Sequence, residues 1–260
     1  MSKYVLGYDS SVLVYDASVL YHIPDTDFPI DDLISYYRLS ESALAQSNVA
    51  YDAFGTNDLV GGNFSNNGKR GNCYYCRAPL GELPSQVLYS PDSSVFDFGI
   101  SDAFSFSFWF KRFSGAIPEQ KNNHIISKIR TSMDQGYSIL FNEDKIAFYL
   151  IDNDGYNLTV IKNTAIPISY WYHFVCSYDG SGSSSGLNLF VNADNTDLSR
   201  YNLGTPVNIR NNEKFIIGDV NLNLRDYSAK GFIDEVAVFN RALTQTDANI
   251  IYNAGAGKYY

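Results

Sequence analysis

Gly231-Phe232-Ile233-Asp234-Glu235-Val236-Ala237-Val238-Phe239 carries the strongest signal of the fold, together with residues 240–260 behind it. Apolar Ile233 alternates with Asp234, and Val236, Val238 and Phe239 continue an apolar run, so the nine residues read as a buried strand. Asn240-Arg241-Ala242-Leu243 turns the chain. Thr244 then stands where a helix N-cap is expected, with Asp247 three residues on in the carboxylate position of a capping box. Leu243 and Asp247-Ala248-Asn249-Ile250-Ile251-Tyr252 follow helical spacing, and Gly255 and Gly257 are expected to stop the helix. The segment reads as a strand, a short amphipathic helix and little more.

Upstream, the pattern stays β. Phe104, Phe106, Phe108 and Phe110 alternate with Ser105, Ser107 and Trp109, which puts four phenylalanines on one strand face. Further strands are expected over 124–129, 136–141, 145–151, 156–161, 170–178, 187–192 and 214–218. Asn142-Glu143-Asp144-Lys145 and Asp152-Asn153-Asp154-Gly155 read as turns between them. Twenty-one Tyr and 17 Phe among 260 residues favour strands, and long helices do not alternate with them. The expectation is an all-β protein of two antiparallel sheets packed face to face.

Four blocks, in order, resemble laminin-G-like domains of the concanavalin A-like lectin/glucanase superfamily. They are "LISYYRLSESALAQSNVAYDAFGTNDLVG" (33–61), "AFSFSFWFK" (103–111), "WYHFVCSYDG" (171–180) with "LNLFVN" (187–192), and "GFIDEVAVFNRALTQTDANIIYNAG" (231–255). The resemblance implies a jelly-roll sandwich over 33–260 with a short C-terminal helix. It also implies a structural calcium site at the rim, which falls here on Asp52, Asn57 and Asp234. The alternative is that Asp52 caps its own turn and Asp234 accepts local backbone hydrogen bonds.

Residues 1–32 stand apart as an N-terminal extended arm and linker. Val5-Leu6, Val12-Leu13 and Val19-Leu20 recur every seven residues, yet Val, Ser, Tyr, Asp and Gly7 make poor helix, so an extended arm or short strand is expected. Exposed Val-Leu pairs ask for a cover, which is the arm's own sandwich or a neighbouring copy in a homo-oligomer.

The formal charge of −9, without a Lys/Arg cluster beyond two neighbours, excludes nucleic acid and anionic membrane surfaces as natural partners. No apolar run reaches the ~20 residues of a membrane span. The opening residues show no basic stretch leading into an apolar one, so no secretory signal is expected. Cys73 and Cys76 form Cys-x-x-Cys, which without a second pair and without a following helix reads as buried or edge thiols ahead of half a zinc site or a redox motif, and Cys176 lies in an expected core strand.

No enzymatic pattern emerges. The Glu-x-Asp-x-x-Glu strand of related glucanases is absent, and Asp234 and Glu235, being adjacent, are expected to point to opposite faces. His22, His124 and His173 accompany no Gly-x-Ser-x-Gly elbow. Carbohydrate binding needs an exposed aromatic and fixed polar groups, which the loop Asp219–Lys230 offers in Asn221, Asn223, Arg225, Asp226 and Tyr227. The expected function is a non-catalytic adhesive protein on a phage virion surface. Residues 1–32 would anchor it to a capsid or fibre protein, and the sandwich would face outward to a surface glycan. The alternatives are an extracellular carbohydrate-binding module of a secreted bacterial protein and a glycoside hydrolase.

Overall fold

The computed structural model describes residues 5–8, 11–16, 19–22, 27–41, 49–62, 64–76, 87–91, 94–113, 122–130, 132–220 and 227–260, with side chains from residue 27 onward. The strands are β1 (Val5–Tyr8), β2 (Ser11–Asp16), β3 (Val19–His22), β4 (Leu33–Tyr37), β5 (Val49–Ala50), β6 (Leu59–Val60), β7 (Phe64–Ser65), β8 (Cys73–Cys76), β9 (Leu88–Tyr89) and β10 (Phe104–Arg112). They continue with β11 (Asn122–Ile129), β12 (Gly136–Asn142), β13 (Lys145–Ile151), β14 (Asn157–Lys162), β15 (Trp171–Tyr178), β16 (Leu187–Val191), β17 (Leu198–Leu203), β18 (Ile216–Ile217) and β19 (Gly231–Phe239). The described residues hold one α-helix, α1 (Gln245–Tyr252).

Two antiparallel sheets carry the protein. One runs β16-β15-β10-β19-β8-β7, with β4 also on β19; the other runs β17-β14-β13-β12-β11-β18-β9-β6-β5. The alternation in 104–110 does what its period dictates. Phe104, Phe106, Phe108 and Phe110 enter the core between the sheets, where Phe141, Phe148, Phe174 and Phe215 meet them. Trp109 lies on the other face, against His173 and Tyr252.

In the N-terminal segment, where an arm or short strand is expected, the backbone makes three short strands in a sheet of their own, β1-β2-β3. Leu6 pairs with Leu13, and Tyr15 with Leu20, so each seven-residue repeat supplies one strand. Among the described residues this sheet pairs with no strand of the sandwich.

The outer face of the seven-stranded sheet is closed by α1. Leu243, Ala248 and Ile251 pack on Tyr36, Val175, Phe190, Ala237 and Phe239. The capping box is present, and Asp247 also takes both Arg241 guanidinium nitrogens at 2.9 Å. Burial pulls the Asp247 carboxyl up, but the Arg241 and Thr244 hydrogen bonds outweigh it and hold it at about 2. Replacing Asp247 with Ala is expected to cost about 1–2 kcal/mol near neutral pH. A depressed carboxyl stabilises above its ordinary value, so the deficit shrinks as pH falls from about 4 towards about 2. Thermal unfolding across that range measures it. The helix stops earlier than its glycines suggest. Asn253 takes the left-handed conformation (φ 45°), and Gly257 N–H returns to Tyr252 O at 3.1 Å.

The alternation expected of Asp234 and Glu235 does not hold. Ile233 and Val236 both enter the inter-sheet core, so the two acids between them share the outer face. The cause is a β-bulge. Ala237 pairs with Ser107 but Asp234 with Trp109, an extra residue on β19, and Glu235 absorbs it with φ 51°. At the same point the other edge of β19 changes partner, from β8 (231–233) to β4 (236–239).

Candidate functional site: the outer face of the larger sheet

With α1 covering the seven-stranded sheet, the outer face of the nine-stranded one is the broad surface left for a ligand. Its composition comes from strand parity. Tyr137, Ile139, Phe148, Leu150, Leu158 and Val160 all face the core, so Ser138, Tyr149 and Thr159 between them face out. Register then lines up Ser127, Ser138, Tyr149, Thr159 and Tyr201 in one row across five strands. Ser127 (0%), Ser138 (1%) and Thr159 (3%) are buried, Tyr149 is half-buried and Tyr201 is 55% exposed. Tyr149 and Tyr201 flank Thr159 two strand spacings apart, about 10 Å. The burial of Tyr149, then its neighbour Tyr201, pushes its phenol up. Leu140, Ala147 and Ile161 form the row on one side; Ile151, Asn157 and Leu203 form the row on the other. Tyr156 extends the exposed end. Its ring lies on Gly204 (φ 75°), where a Cβ would come within 2.0 Å of it.

The deep end is built by β11. His124 is 2% exposed, and its Nδ1 lies 2.6 Å from Ser138 Oγ. Among the described residues its Nε2 is buried without a hydrogen-bond partner, as are Asn122 Oδ1 and Asn123 Oδ1. Burial holds the His124 imidazole down to about 3, so the ring is neutral at ordinary pH. Tyr227 stands edge-on to it, with centroids 6.1 Å apart. The stem of the Asp219–Lys230 loop is pinned here. Ser127 Oγ donates to Asp219 O at 2.7 Å, Ser228 Oγ donates to Asp219 Oδ2 at 2.5 Å, and Ala229 N donates to His124 O at 3.1 Å. Of the loop residues expected to bind ligand, Tyr227 thus reaches this face, whereas Asn221, Asn223, Arg225 and Asp226 lie outside the described residues.

The residues matched to a calcium site hold hydrogen bonds instead of open oxygens. Asp52 Oδ1 accepts from the N–H groups of Tyr36, Phe54 and Gly55 at 2.9–3.1 Å, and Oδ2 accepts from Asn57 N at 3.1 Å. Asn57 Nδ2 donates to Ser35 Oγ at 3.0 Å. Asp234 accepts from Arg70 N at 3.0 Å and Glu235 N at 3.0 Å, and burial, then Glu235, drives its carboxyl well up. A calcium ion asks for six to eight free oxygens, and this set does not fit one. Among the described residues no three His, Cys, Asp or Glu gather as a metal cluster. Cys73, Cys76 and Cys176 are free and buried, and burial pushes the Cys73 thiol up to about 12.

Two other arrangements went unseen in the sequence. Ser107 Oγ lies 2.9 Å from His173 Nε2, but both are 1% exposed and His173 Nδ1 has no partner to orient it. A cleft of about 340 Å³ lies beside Asp97, Lys128 and Lys214, where the buried Lys128 ammonium is already held by Asp97 at 2.9 Å and by Asn211. Tyr149 and Thr159 were open to detection, since each sits between two core residues of an apolar strand. Tyr201 was not, because β17 carries no alternation to betray it.

No curated protein matches the sequence. Solved structures do match the fold. The binding domain of Paraclostridial Mosquitocidal Protein 1 superposes with a TM-score of 0.65 at 15% identity, covering 86% of this chain and 52% of that one. The ligand-binding domain of botulinum neurotoxin serotype D, in complex with N-acetylneuraminic acid, gives 0.63 at 15% identity, covering 86% and 51%. The serotype G binding domain gives 0.59 at 16%, covering 78% and 49%. The chain therefore spans about half the length of these structures, and at such identities the likeness is one of fold. Residues 85–249, more than half the chain, match the laminin-G-like family directly, so the chain belongs to the concanavalin A-like lectin/glucanase superfamily.

Proposed function

We propose that the chain is a non-catalytic adhesive domain that binds a glycan on the outer face of its nine-stranded sheet. The observation that carries this is the row Tyr149–Thr159–Tyr201. Tyr149 and Tyr201 flank the buried Thr159 on the sheet's outer face, with the Tyr201 ring more than half exposed. Aromatic rings stack on sugar faces, and small polar side chains beside them fix orientation. The neighbour in complex with N-acetylneuraminic acid supports a saccharide as ligand class. The non-catalytic reading draws on the acids: Asp234 is 0% and Glu235 7% exposed, so no glycosidic bond reaches them.

The role on a virus particle belongs to the same reading. Residues 1–32 carry it to a capsid or fibre protein, and the sheet β1-β2-β3 gives that segment a structure of its own. The full chain is expected to attach to particles and residues 33–260 to stay free; attachment of the shorter chain would refute the anchor. On a secreted protein the same face would serve as an extracellular module.

Tyr201→Ala tests the face itself. On a glycan array its signal is expected to fall about five- to thirtyfold from wild type, in line with about 1–2 kcal/mol for a lost aromatic contact. Stability should stay within about 0.5 kcal/mol, because the ring supports nothing beneath it. Undiminished binding by Tyr201→Ala would remove the row from the site.

A further inference from the structure

The cleft of about 340 Å³ beside Lys128 lies apart from the row on the outer face. It opens at the rim of the sandwich, past the end of β11, where Pro91, Ser94 and Asp97 ahead of β10 meet Asn211 to Lys214 ahead of β18. Its floor is fixed. Lys128 follows Ile126 on the inner side of β11 and is 2% exposed. The Lys128 ammonium donates to Asp97 Oδ1 at 2.9 Å and to Asn211 O. Asn211 N donates to the same Asp97 oxygen at 3.2 Å. The Asn211 amide donates to Gln135 O at 3.0 Å and Lys128 O at 3.3 Å, and its Oδ1 accepts from Glu213 N at 2.9 Å. Burying an ammonium is a poor way to stabilise a fold, because an apolar side chain of similar size avoids its desolvation. Here the ammonium locks the backbone of 211–213 beneath the cleft.

The side chains on that locked loop are not committed in the same way. Among the described residues those of Asn212 and Glu213 enter no hydrogen bond or ion pair, and Lys214 donates to Pro91 O. Asp97 keeps 28% of its side chain exposed, with Oδ2 3.8 Å from Arg210. A rigid backbone beneath unengaged polar groups is a preorganised site, since little order remains to be imposed when a ligand arrives.

The lining sets the ligand's chemistry. Asp97 and Glu213 balance Lys128 and Lys214, so a ligand of either sign meets a like charge. Pro91 is the one apolar residue among those described at the cleft, which leaves little for a hydrocarbon group. Adjacent hydroxyls suit the mixture, because each donates to a carboxylate and accepts from an ammonium or amide. The volume is at the small end for ligand pockets and has room for one ring, not a chain.

We propose that this cleft binds a single neutral hexose unit. Glu213 and Asp97 accept its hydroxyl protons, Lys214 and Asn212 donate to its oxygens, and Lys128 and Asn211 position the loop. The site goes beyond the adhesive reading above and stands whether or not Tyr149 and Tyr201 bind a glycan.

The probes are D-glucose, D-galactose, D-mannose and N-acetyl-D-glucosamine, with N-acetylneuraminic acid as the anion and glycine as the zwitterion, each titrated into the ¹⁵N-labelled full chain. At least one neutral sugar is expected to move the amide resonances of residues 211–214 saturably. Glu213→Ala should weaken that binding about ten- to a hundredfold, the effect of losing a hydrogen bond to a charged group. Its unfolding temperature should stay within about 2 °C of wild type, since the carboxylate supports nothing else. Glu213→Gln, which keeps an acceptor oxygen, should recover part of the affinity. Tyr201→Ala should leave this titration unchanged while it lowers the glycan-array signal, so the two sites fail separately. Wild-type affinity in Glu213→Ala, tighter binding of N-acetylneuraminic acid or glycine than of every neutral sugar, or resonances of 211–214 that no neutral sugar moves would each overturn the inference.

Discussion

Phe106→Ala is expected to lower the free energy of unfolding by about 3–5 kcal/mol, the usual cost of removing a buried aromatic ring and leaving its space. Phe106 is 0% exposed and central to the inter-sheet core. Its ring centroid lies 5.4 Å from Tyr137, 5.8 Å from Phe104, 6.2 Å from Phe215, 6.3 Å from Phe98 and 6.4 Å from Phe148. Those neighbours come from both sheets and from the loop before β10, so no single shift can fill the hole. The rings also hold one another: Phe98 stacks on Phe104 at 4.4 Å, and Tyr137 is tied by its hydroxyl to Phe96 O at 2.9 Å. Phe106→Leu, which keeps most of the volume, should cost about 1–1.5 kcal/mol. Denaturant unfolding of both variants measures the difference. A loss under about 1 kcal/mol in Phe106→Ala would mean that the phenylalanine layer is not the core that joins the sheets.

The same residues show why this part of the fold was legible from sequence. A period-two pattern with a phenylalanine at each inner position states a strand and its buried face together, and 104–110 needs no tertiary information to be read. Thr244 and Asp247 are equally self-sufficient, since a capping box closes within four residues. What stayed hidden depends on partners remote in sequence. The β19 bulge falls where the strand's other edge passes from β8 to β4, and nothing local in Ile-Asp-Glu-Val announces that change. Strand β17 escaped because it is an edge: only Leu198 packs against the core, and the remainder has no inner face to pattern. The candidate site was half legible for the same reason. Tyr227 could be chosen as a loop aromatic near a strand end. The row Tyr149–Thr159–Tyr201 is a product of register across three strands, two of them hairpin neighbours and the third returning from some forty residues on. His124 looked like any strand histidine until its unpartnered nitrogen was placed.

Glu235→Gln should become progressively more stable than the wild-type chain as pH rises from about 5 to 8. The bulge sets Glu235 and Asp234 side by side on a buried face, where Tyr36 donates its hydroxyl to Glu235. The C-terminal residues lie over them: Tyr260 meets Tyr36 edge-on at 5.8 Å and the Arg70 guanidinium lies over the Tyr259 ring at 4.5 Å, while Arg38 donates to Tyr260 O at 3.1 Å. Burial raises the Glu235 carboxyl from 4.5 to about 7, against the pull of the Tyr36 hydroxyl, Arg70 and Arg38. Asp234 moves the same way, so the two titrate as a pair that retains a proton near neutrality. A carboxyl raised on folding holds a proton that the unfolded chain has already released, so stability falls as pH climbs through that window. From 4.5 to about 7, at about 1.4 kcal/mol per pH unit, the loss reaches ~3 kcal/mol. Gln carries no such charge. His124 and His173, both held near 3 by burial, act in the opposite sense, since the unfolded chain takes up protons below its ordinary histidine value and stability falls in acid. Both proteins share that acid limb and Asp234, so the difference between their unfolding curves isolates the Glu235 carboxyl and its coupling to Asp234. A difference that stays flat from pH 5 to 8 would place Glu235 in a solvated position and undo the bulge as the device that buries it.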